Sequence, residues 1–320
     1  MYPVALALIA ALVPAPSLHA DALSIDGVYV AGVSSGGYMA DQLHVAHSQT
    51  FRGLGIFSAG PYHCARGNLI SAELACMNDL QDDNPAQLEQ LARDRAAQGS
   101  IDDVAHLAGH PVWIYHGRND STVKESVNDD LAGFYTDFGA DVAYRKDSDA
   151  GHAWVSPLGP NACSATASPY LNDCGDDPQG AMLGHLYGSV EPPAASASGD
   201  LATFDQNAYA PNGDAASISM SGTGYRYVPD ACADGAGCRL LVALHGCEQG
   251  ADTIGTTFVE KAHLNEYADT NRTVVLYPQA TTSLDNPNGC WNWWGYGADS
   301  TYDTHDGAQI RAIMGMVNGM

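Results

Sequence analysis

Near the start of the chain a serine stands between glycines, in Gly32-Val33-Ser34-Ser35-Gly36. A serine hydroxyl attacks a carbonyl only when a base removes its proton, so this pentapeptide calls for a histidine and for an acid that orients it. Glycines two residues to either side suit a turn too tight for side chains, from which Ser34 would stand clear of the backbone. The apolar run Val28 to Ala31 precedes the turn and the helical spacing of Tyr38 to Ala46 follows it, giving strand, turn and helix. Ser35, at the helix start, offers a backbone N–H to a developing oxyanion.

Two downstream segments can complete the chemistry. Pro111-Val112-Trp113-Ile114-Tyr115 runs into His116-Gly117-Arg118-Asn119-Asp120, and Val142-Ala143-Tyr144 leads to Gly151-His152-Ala153-Trp154. Parallel strands would deliver both to one carboxyl edge, in the chain order serine, acid, base of a hydrolase built on a parallel sheet. Asp120 is then the orienting acid and His152 the base. Asp147 and Asp149 are rival acids. His116 is a rival base, but it precedes the acid.

The elements that must position these residues alternate. Expected strands are Val28 to Ala31, Gly53 to Phe57, Val112 to Tyr115, Val142 to Tyr144, Leu240 to Leu244 and Val274 to Tyr277. Expected helices are Tyr38 to Ala46, Pro85 to Gln98, Ser126 to Phe138, Phe258 to Thr270 and Gly307 to Val317. Such alternation predicts an α/β fold, a mostly parallel central sheet with helices on both faces. Pro192 to Asp214 loses periodicity and reads as a long surface connection within one domain. The second oxyanion donor usually comes from a His-Gly loop before the nucleophile, yet here Leu244-His245-Gly246-Cys247 comes late. Joining the last helix to Leu23 would restore the usual order, so the expectation is a circularly permuted α/β-hydrolase fold.

The chain of 320 residues has 37 acidic and 13 basic residues, a net charge of −24. That balance excludes nucleic acid and anionic membranes as partners and suits a neutral one. An apolar run from Val4 to Val13, with no Lys or Arg before it, leads to Leu18-His19-Ala20. It reads as a signal peptide over 1–20, with 21–320 as a single catalytic domain, secreted to the extracellular or periplasmic space. No later stretch is long and apolar enough to span a bilayer. Eight cysteines fall into Cys64 and Cys76, Cys163 and Cys174, Cys232 and Cys238, and Cys247 and Cys290. None makes a short Cys-x-x-Cys pair, so disulfides are expected rather than zinc, and the chemistry requires neither metal nor organic cofactor. A Cys247–Cys290 bridge would hold the two Cα atoms within roughly 4.4–6.8 Å and tether Trp291, Trp293 and Trp294 beside the His-Gly loop.

The Ser-Ser-Gly-Gly-Tyr-Met elbow, the His-Gly-Arg-Asn-Asp and Gly-His segments, the His-Gly-Cys loop and Gly-Cys-Trp-Asn-Trp-Trp-Gly-Tyr together resemble the circularly permuted extracellular polyhydroxybutyrate depolymerases. The resemblance runs over essentially the whole mature chain. It implies Ser34 as nucleophile, Asp120 and His152 as its partners, and backbone oxyanion donors at Ser35 and Cys247. It also implies that a tryptophan among Trp291, Trp293 and Trp294 lines the ester crevice, with Trp294 the first choice. Tyr62 and Trp154 are further aromatic candidates for contact with substrate. Many relatives carry an added polymer-binding domain; this sequence resembles the compact form without one. A monomer acting on a neutral aliphatic polyester or its oligomers is the implied reading, and an esterase on plant cell-wall carbohydrate is the alternative.

Overall fold

Strands buried on both faces need apolar residues at nearly every position, and the central segments of this chain have them. The structure, a computed structural model, describes residues 23–81, 84–233, 235 and 237–320; the expected leader at 1–20 lies outside the described residues. The strands are β1 (Ile25–Val33), β2 (Phe51–Phe57), β3 (Pro111–Gly117), β4 (Asp141–Ser148), β5 (Trp154–Val155), β6 (Asn161–Ala162), β7 (Leu171–Asp173), β8 (Asp200–Asp205), β9 (Thr223–Val228), β10 (Cys238–Leu244) and β11 (Thr273–Tyr277). An eight-stranded sheet runs in the order β4-β3-β2-β1-β10-β11-β9-β8, and β5, β7 and β6 form a small second sheet. From β4 to β11 every pairing is parallel, whereas β9 is antiparallel to both neighbours.

The helices are α1 (Ser35–Ala46), α2 (Leu69–Ser71), α3 (Pro85–Ala97), α4 (Glu125–Asp137), α5 (Pro178–Tyr187), α6 (Ala251–Ile254), α7 (Thr257–Lys261), α8 (Asn265–Asn271) and α9 (Ala308–Asn318). Alternate strand residues point to opposite faces, so each central strand feeds two cores. Val30, Ile56, Ile114, Val242 and Leu276 pack on one side against Leu43 of α1, Phe134 of α4 and Ile313 of α9. Ala31, Phe57, Trp113, Ala243 and Val275 pack on the other against Met182 of α5, Phe258 of α7 and Tyr267 of α8. Each large apolar side chain withdrawn from water in these layers contributes about 1.5–3 kcal/mol before entropy is counted.

Two of the expected readings differ in the structure, and α5 and the small β5-β7-β6 sheet were not among the expected elements. Phe258 to Thr270 is two helices, broken where His263 takes φ 59° and its ring lies 3.7 Å from Asp177 and 3.5 Å from Glu266. Burial opposes its protonation, but these two carboxylates hold the imidazolium and push His263 up to about 9. The stretch Pro192 to Asp214 contains β8, which pairs with β9 at the sheet edge and leaves its side chains exposed or half-buried. β8, an edge strand whose side chains are exposed or half-buried, carries no period-2 signal, and β9, an inner strand that buries only Gly224 and Tyr227, was not read as a strand either. All four cysteine pairs are disulfides, with Cα separations of 5.7, 4.5, 6.0 and 4.2 Å in chain order. They fit folding in an oxidising compartment. No described helix is long and apolar enough to cross a membrane.

Beneath the sheet, Asp41 of α1 is fully buried and accepts the Tyr135 hydroxyl at 2.7 Å. Burial is the main cause that pushes its carboxyl up to about 8, outweighing the hydrogen bond from Tyr135. A carboxyl raised on folding contributes stability below its unfolded pKa and loses it as pH climbs through the folded one. Urea midpoints of the native chain should therefore fall relative to those of Asp41→Asn between about pH 4 and pH 8; parallel profiles would refute the assignment.

The described chain begins and ends at neighbouring points: the Leu23 N–H donates to the Met320 carbonyl at 3.1 Å. A chain in which a few glycines join Met320 to Leu23, opened instead between Ala195 and Ser196 before β8, should fold with an unchanged far-ultraviolet spectrum and urea midpoint. Loss of cooperative unfolding in that chain would mean that continuity from α5 to β8 is essential.

Candidate active site

The carboxyl edge of the sheet gathers the sequence candidates. Register places Val33 beside Phe57, Gly32 beside Leu244, Phe57 beside Tyr115 and Gly117 beside Ser148, so the loops after β1, β10, β2, β3 and β4 leave the sheet together. Ser34, between β1 and α1, has φ 55° and ψ −125°, a conformation that costs a non-glycine residue of order 1–3 kcal/mol. Its N–H donates to Phe57 O at 3.0 Å, and its carbonyl accepts the Tyr38 N–H at 3.0 Å to start the helix. The glycines have a steric reason. A Cβ on Gly32 would lie 2.1 Å from the Gly36 carbonyl oxygen, and one on Gly36 would lie 2.3 Å from the carbonyl oxygens of both Leu244 and His245.

The acid loop and the histidine loop are laced together. Arg118 N–H donates to Ser148 O at 2.8 Å and Asn119 N–H to Ala150 O at 3.0 Å, while a Cβ on Gly117 would lie 2.2 Å from Ala150 O. His152 Nδ1–H then donates to Asp120 Oδ2 at 2.7 Å, with both side chains buried. Asp120 Oδ1 accepts the N–H groups of Thr122 at 2.8 Å and Val123 at 3.0 Å. Burial works to raise the Asp120 carboxyl, but the attraction and hydrogen bond of His152, with help from Ser58 and Val123, hold it below the usual range. The rivals lie elsewhere. Asp147 and Asp149 are exposed and pair with Arg145 and Arg118, and the buried His116 bonds the Val123 carbonyl.

The His-Gly-Cys loop abuts the serine, because a Cβ on Gly246 would lie 3.4 Å from Ser34 Cβ. His245 is buried, which pushes it down to about 4 and keeps it neutral. Its Nδ1–H donates to Gly246 O at 2.7 Å, and its Nε2 accepts the Ala280 N–H at 3.1 Å. Gly246 N–H is held by Gln249 Oε1 at 2.7 Å, and the Gln249 amide donates to Tyr170 O at 2.9 Å. With Cys247 bridged to Cys290, the loop is fixed on every side. Gly246 N–H is spent, whereas the Cys247 N–H has no acceptor among the described residues. Both its sequence neighbour Gly246 and Ser34 border the same cavity.

That cavity has a volume of about 410 Å³ and is lined by Ser34, His152, Cys247, Tyr38, Trp293 and Trp294, among others. Trp293 stacks on Tyr38 with ring centroids 4.0 Å apart, and the Tyr38 hydroxyl donates to Cys76 O. Trp294 meets Trp293 edge-on at 5.5 Å. Three other aromatic expectations are corrected. Trp291 is 0 % exposed and donates its indole N–H to His245 O at 3.0 Å, so it supports the loop from beneath. Trp154 is fully buried and donates to Ala262 O at 3.0 Å, and Tyr62 donates to Asp303 O at 2.6 Å while Arg95 donates to it at 2.8 Å. All three lie outside the cavity wall, since each indole or hydroxyl has its partner inside the packed protein.

Sequence reasoning missed Leu69, Met77, Thr166 and Tyr170, which also line the cavity. Leu69 and Met77 bracket the short α2 and the π-helical turn Ala72–Met77, held by Cys64–Cys76. Only the cysteine spacing hinted that this loop is fixed, and nothing in its sequence says where it points.

No protein-family model matches the chain. It is 41% identical over 315 residues to a poly(3-hydroxybutyrate) depolymerase of Delftia acidovorans, covering 94% of this chain and 62% of that relative. The chain thus spans about three fifths of the length of that protein. It is 38% identical over 333 residues to a polyhydroxybutyrate depolymerase of Talaromyces funiculosus, covering 97% of this chain and 94% of the relative. Among solved structures, a PHB depolymerase in a serine-to-alanine variant complexed with an R3HB trimer is 34% identical with a TM-score of 0.85, covering 94% of this chain and 98% of its own. The crystal structure of a PHB depolymerase from Penicillium funiculosum is 35% identical with a TM-score of 0.83, covering 93% and 96%. With its sheet, elbow and loops as described, this chain belongs to the polyhydroxybutyrate depolymerase family.

Proposed function

We propose that the chain is a secreted serine esterase that hydrolyses ester bonds of poly(3-hydroxybutyrate) or its oligomers. The observation that carries this reading is a serine held in a strained elbow on the same cavity as a buried, acid-paired histidine. Ser34 Oγ attacks the ester carbonyl as His152 Nε2 takes its proton; Asp120, ionised and bonded to Nδ1, fixes the tautomer and stabilises the imidazolium. The N–H groups of Ser35 and Cys247 receive the oxyanion, each contributing about 3 kcal/mol to the barrier reduction. His152 then protonates the departing alkoxide, which leaves as the free hydroxyl group, and water, activated by His152, attacks the acyl-enzyme to release the acid and restore Ser34. The relatives reported above are named for polyhydroxybutyrate, so the carbohydrate-ester alternative is not favoured.

Trp293 and Trp294 serve in this reading as the crevice wall against which single polyester chains lie. A solid polymer also needs a face to adsorb to. Leu69, Ile70, Leu74 and Leu80 are 51, 68, 37 and 76 % exposed, and Leu284 is fully exposed next to the cavity residue Asp285. The sequence expectation put that face on the aromatics of Trp291 to Tyr296; we place it on these exposed aliphatic side chains, of which Leu69 lines the cavity. The remaining readings go with this one: a signal peptide over 1–20, one catalytic domain over 21–320, a monomer, and a circular permutation of the fold. The late position of β8 to β11 and the Leu23–Met320 hydrogen bond support the permutation.

Ser34→Ala and His152→Ala should each lower kcat on a soluble aryl ester and on 3-hydroxybutyrate oligomers by at least ~10⁴-fold with an unchanged urea midpoint, and Asp120→Asn should lose nearly as much. Retained activity in Ser34→Ala would sink the assignment. Clearing of a polyhydroxybutyrate suspension by the native chain, set against release of acetate from xylan, tests the substrate.

Trp294→Ala should reduce turnover of 3-hydroxybutyrate oligomers ~10-fold more than that of the aryl ester, because the small ester needs little of the crevice. Ile70→Ser with Leu284→Ser should leave the aryl ester unaffected and lower binding to polymer granules in a sedimentation assay. Equal losses on both substrates would make Trp294 a packing residue, and unchanged granule binding would place adsorption elsewhere.

A further inference from the structure

We infer that His47, Asp102 and His305 form a binding site for a divalent transition-metal ion of the zinc type, separate from the catalytic cavity. The three residues are far apart in the chain, yet one potential ligand atom from each lies within 4.8 Å of the others. It is the one such cluster among the described residues. His47 caps the C-terminus of α1 and is held by its N–H to Leu43 O at 2.9 Å. Asp102 follows α3; its N–H donates to Ala46 O at 2.9 Å, which locks it to the end of α1. His305 precedes α9, with its N–H on Ser100 O at 2.9 Å. All three backbones are thus fixed against one another by bonds that involve none of the candidate ligand atoms, so binding an ion would demand little ordering.

The donor set has a definite chemical preference. Two imidazoles and one carboxylate match tetrahedral zinc, with water as the fourth ligand, whereas calcium and magnesium require oxygen donors. His305 Nε2 lies 3.2 Å from Asp102 Oδ1, and the His47 and His305 rings are 4.6 Å apart, centroid to centroid. Asp102 Oδ2 accepts the Gln49 N–H at 2.9 Å, the kind of outer bond that orients a carboxylate ligand. A plain hydrogen-bonded histidine–aspartate pair would account for His305 and Asp102 but not for His47, whose Nε2 is buried with no hydrogen-bond partner. A metal ion gives that nitrogen a partner. All three residues are half-buried, which lets the ion and its water enter from solvent.

The site lies at the opposite end of α1 from Ser34, and a helix of 12 residues is about 18 Å long. Its ion would therefore tie α1, the segment after α3 and the entry to α9 together without touching the esterase chemistry. The test uses the full chain stripped with a chelator and dialysed. Zn²⁺ should raise Tm saturably, by about 5 °C at ~100-fold excess over Kd, and Ca²⁺ should not. His47→Ala and His305→Gln should each abolish the rise while turnover of a soluble ester stays unchanged. One equivalent of Co²⁺ on the native chain should give the intense visible bands of a tetrahedral ion, a readout that does not depend on the variants folding. No rise in Tm with no such spectrum, or a rise that persists in both variants, would overturn the site.

Discussion

The close approach of two backbones, the elbow after β1 and the loop after β10, is the constraint from which the candidate catalytic edge is built. Gly36 lies so near the carbonyls of Leu244 and His245 that no side chain fits between them. This contact sets the serine against the His-Gly-Cys loop, and it exists only because β1 and β10 are adjacent parallel strands in a fixed register. The strain at Ser34 is sustained by the two cores on either side of the sheet, which hold β1 and α1 too firmly for the turn to relax. In the proposed reading, a rigid scaffold with a strained turn at its edge keeps donors and nucleophile in place before a substrate arrives, which is where most electrostatic catalysis originates.

The same economy of backbone governs the other half of the site. Gly117 and Gly151 stand where a Cβ would collide with the carbonyls of Ala150 and Ala165, so the loops after β3 and β4 can interlock. Asp120 is thereby delivered to His152 with its second oxygen already satisfied by two amides. A buried carboxylate with both oxygens engaged by donors stays ionised in spite of desolvation, as the orienting acid of the proposed triad must. Histidine plays a different part at each position. His245 is neutral and structural, His263 is held charged between carboxylates, and His152 is the one that borders the cavity.

The net charge of −24 bears on the proposed substrate more than on the fold. A neutral polyester is not repelled by such a surface, and the half-exposed Leu69 breaks it at the cavity. The acid product of the proposed reaction would not be retained by a negatively charged protein through long-range attraction.

The serine elbow, Asp120, His152 and the His-Gly-Cys loop were legible because each depends on local backbone rules, a glycine where no Cβ fits and a strand before a turn. The cysteine partners were legible because three of the four pairs close short loops, with separations of 12, 11 and 6 residues. Five of the six expected strands, β1, β2, β3, β10 and β11, were legible because burial in the sheet demands apolar runs, whereas β4, half-buried at the sheet edge, showed only the short run Val142 to Tyr144. β8 has only exposed or half-buried side chains and β9 buries only Gly224 and Tyr227, so neither shows a continuous apolar run. Among the aromatics, side-chain type was the same whether a residue faced the crevice, as Trp293 and Trp294 do, or supported it from below, as Trp291 does. Which of them meets substrate depends on rotation about a few backbone bonds after Cys290, and so on packing from α1 and the disulfide. His47, Asp102 and His305 carry no motif spacing at all. Their proximity is a product of three separate chain segments meeting, and only the tertiary structure could bring it about.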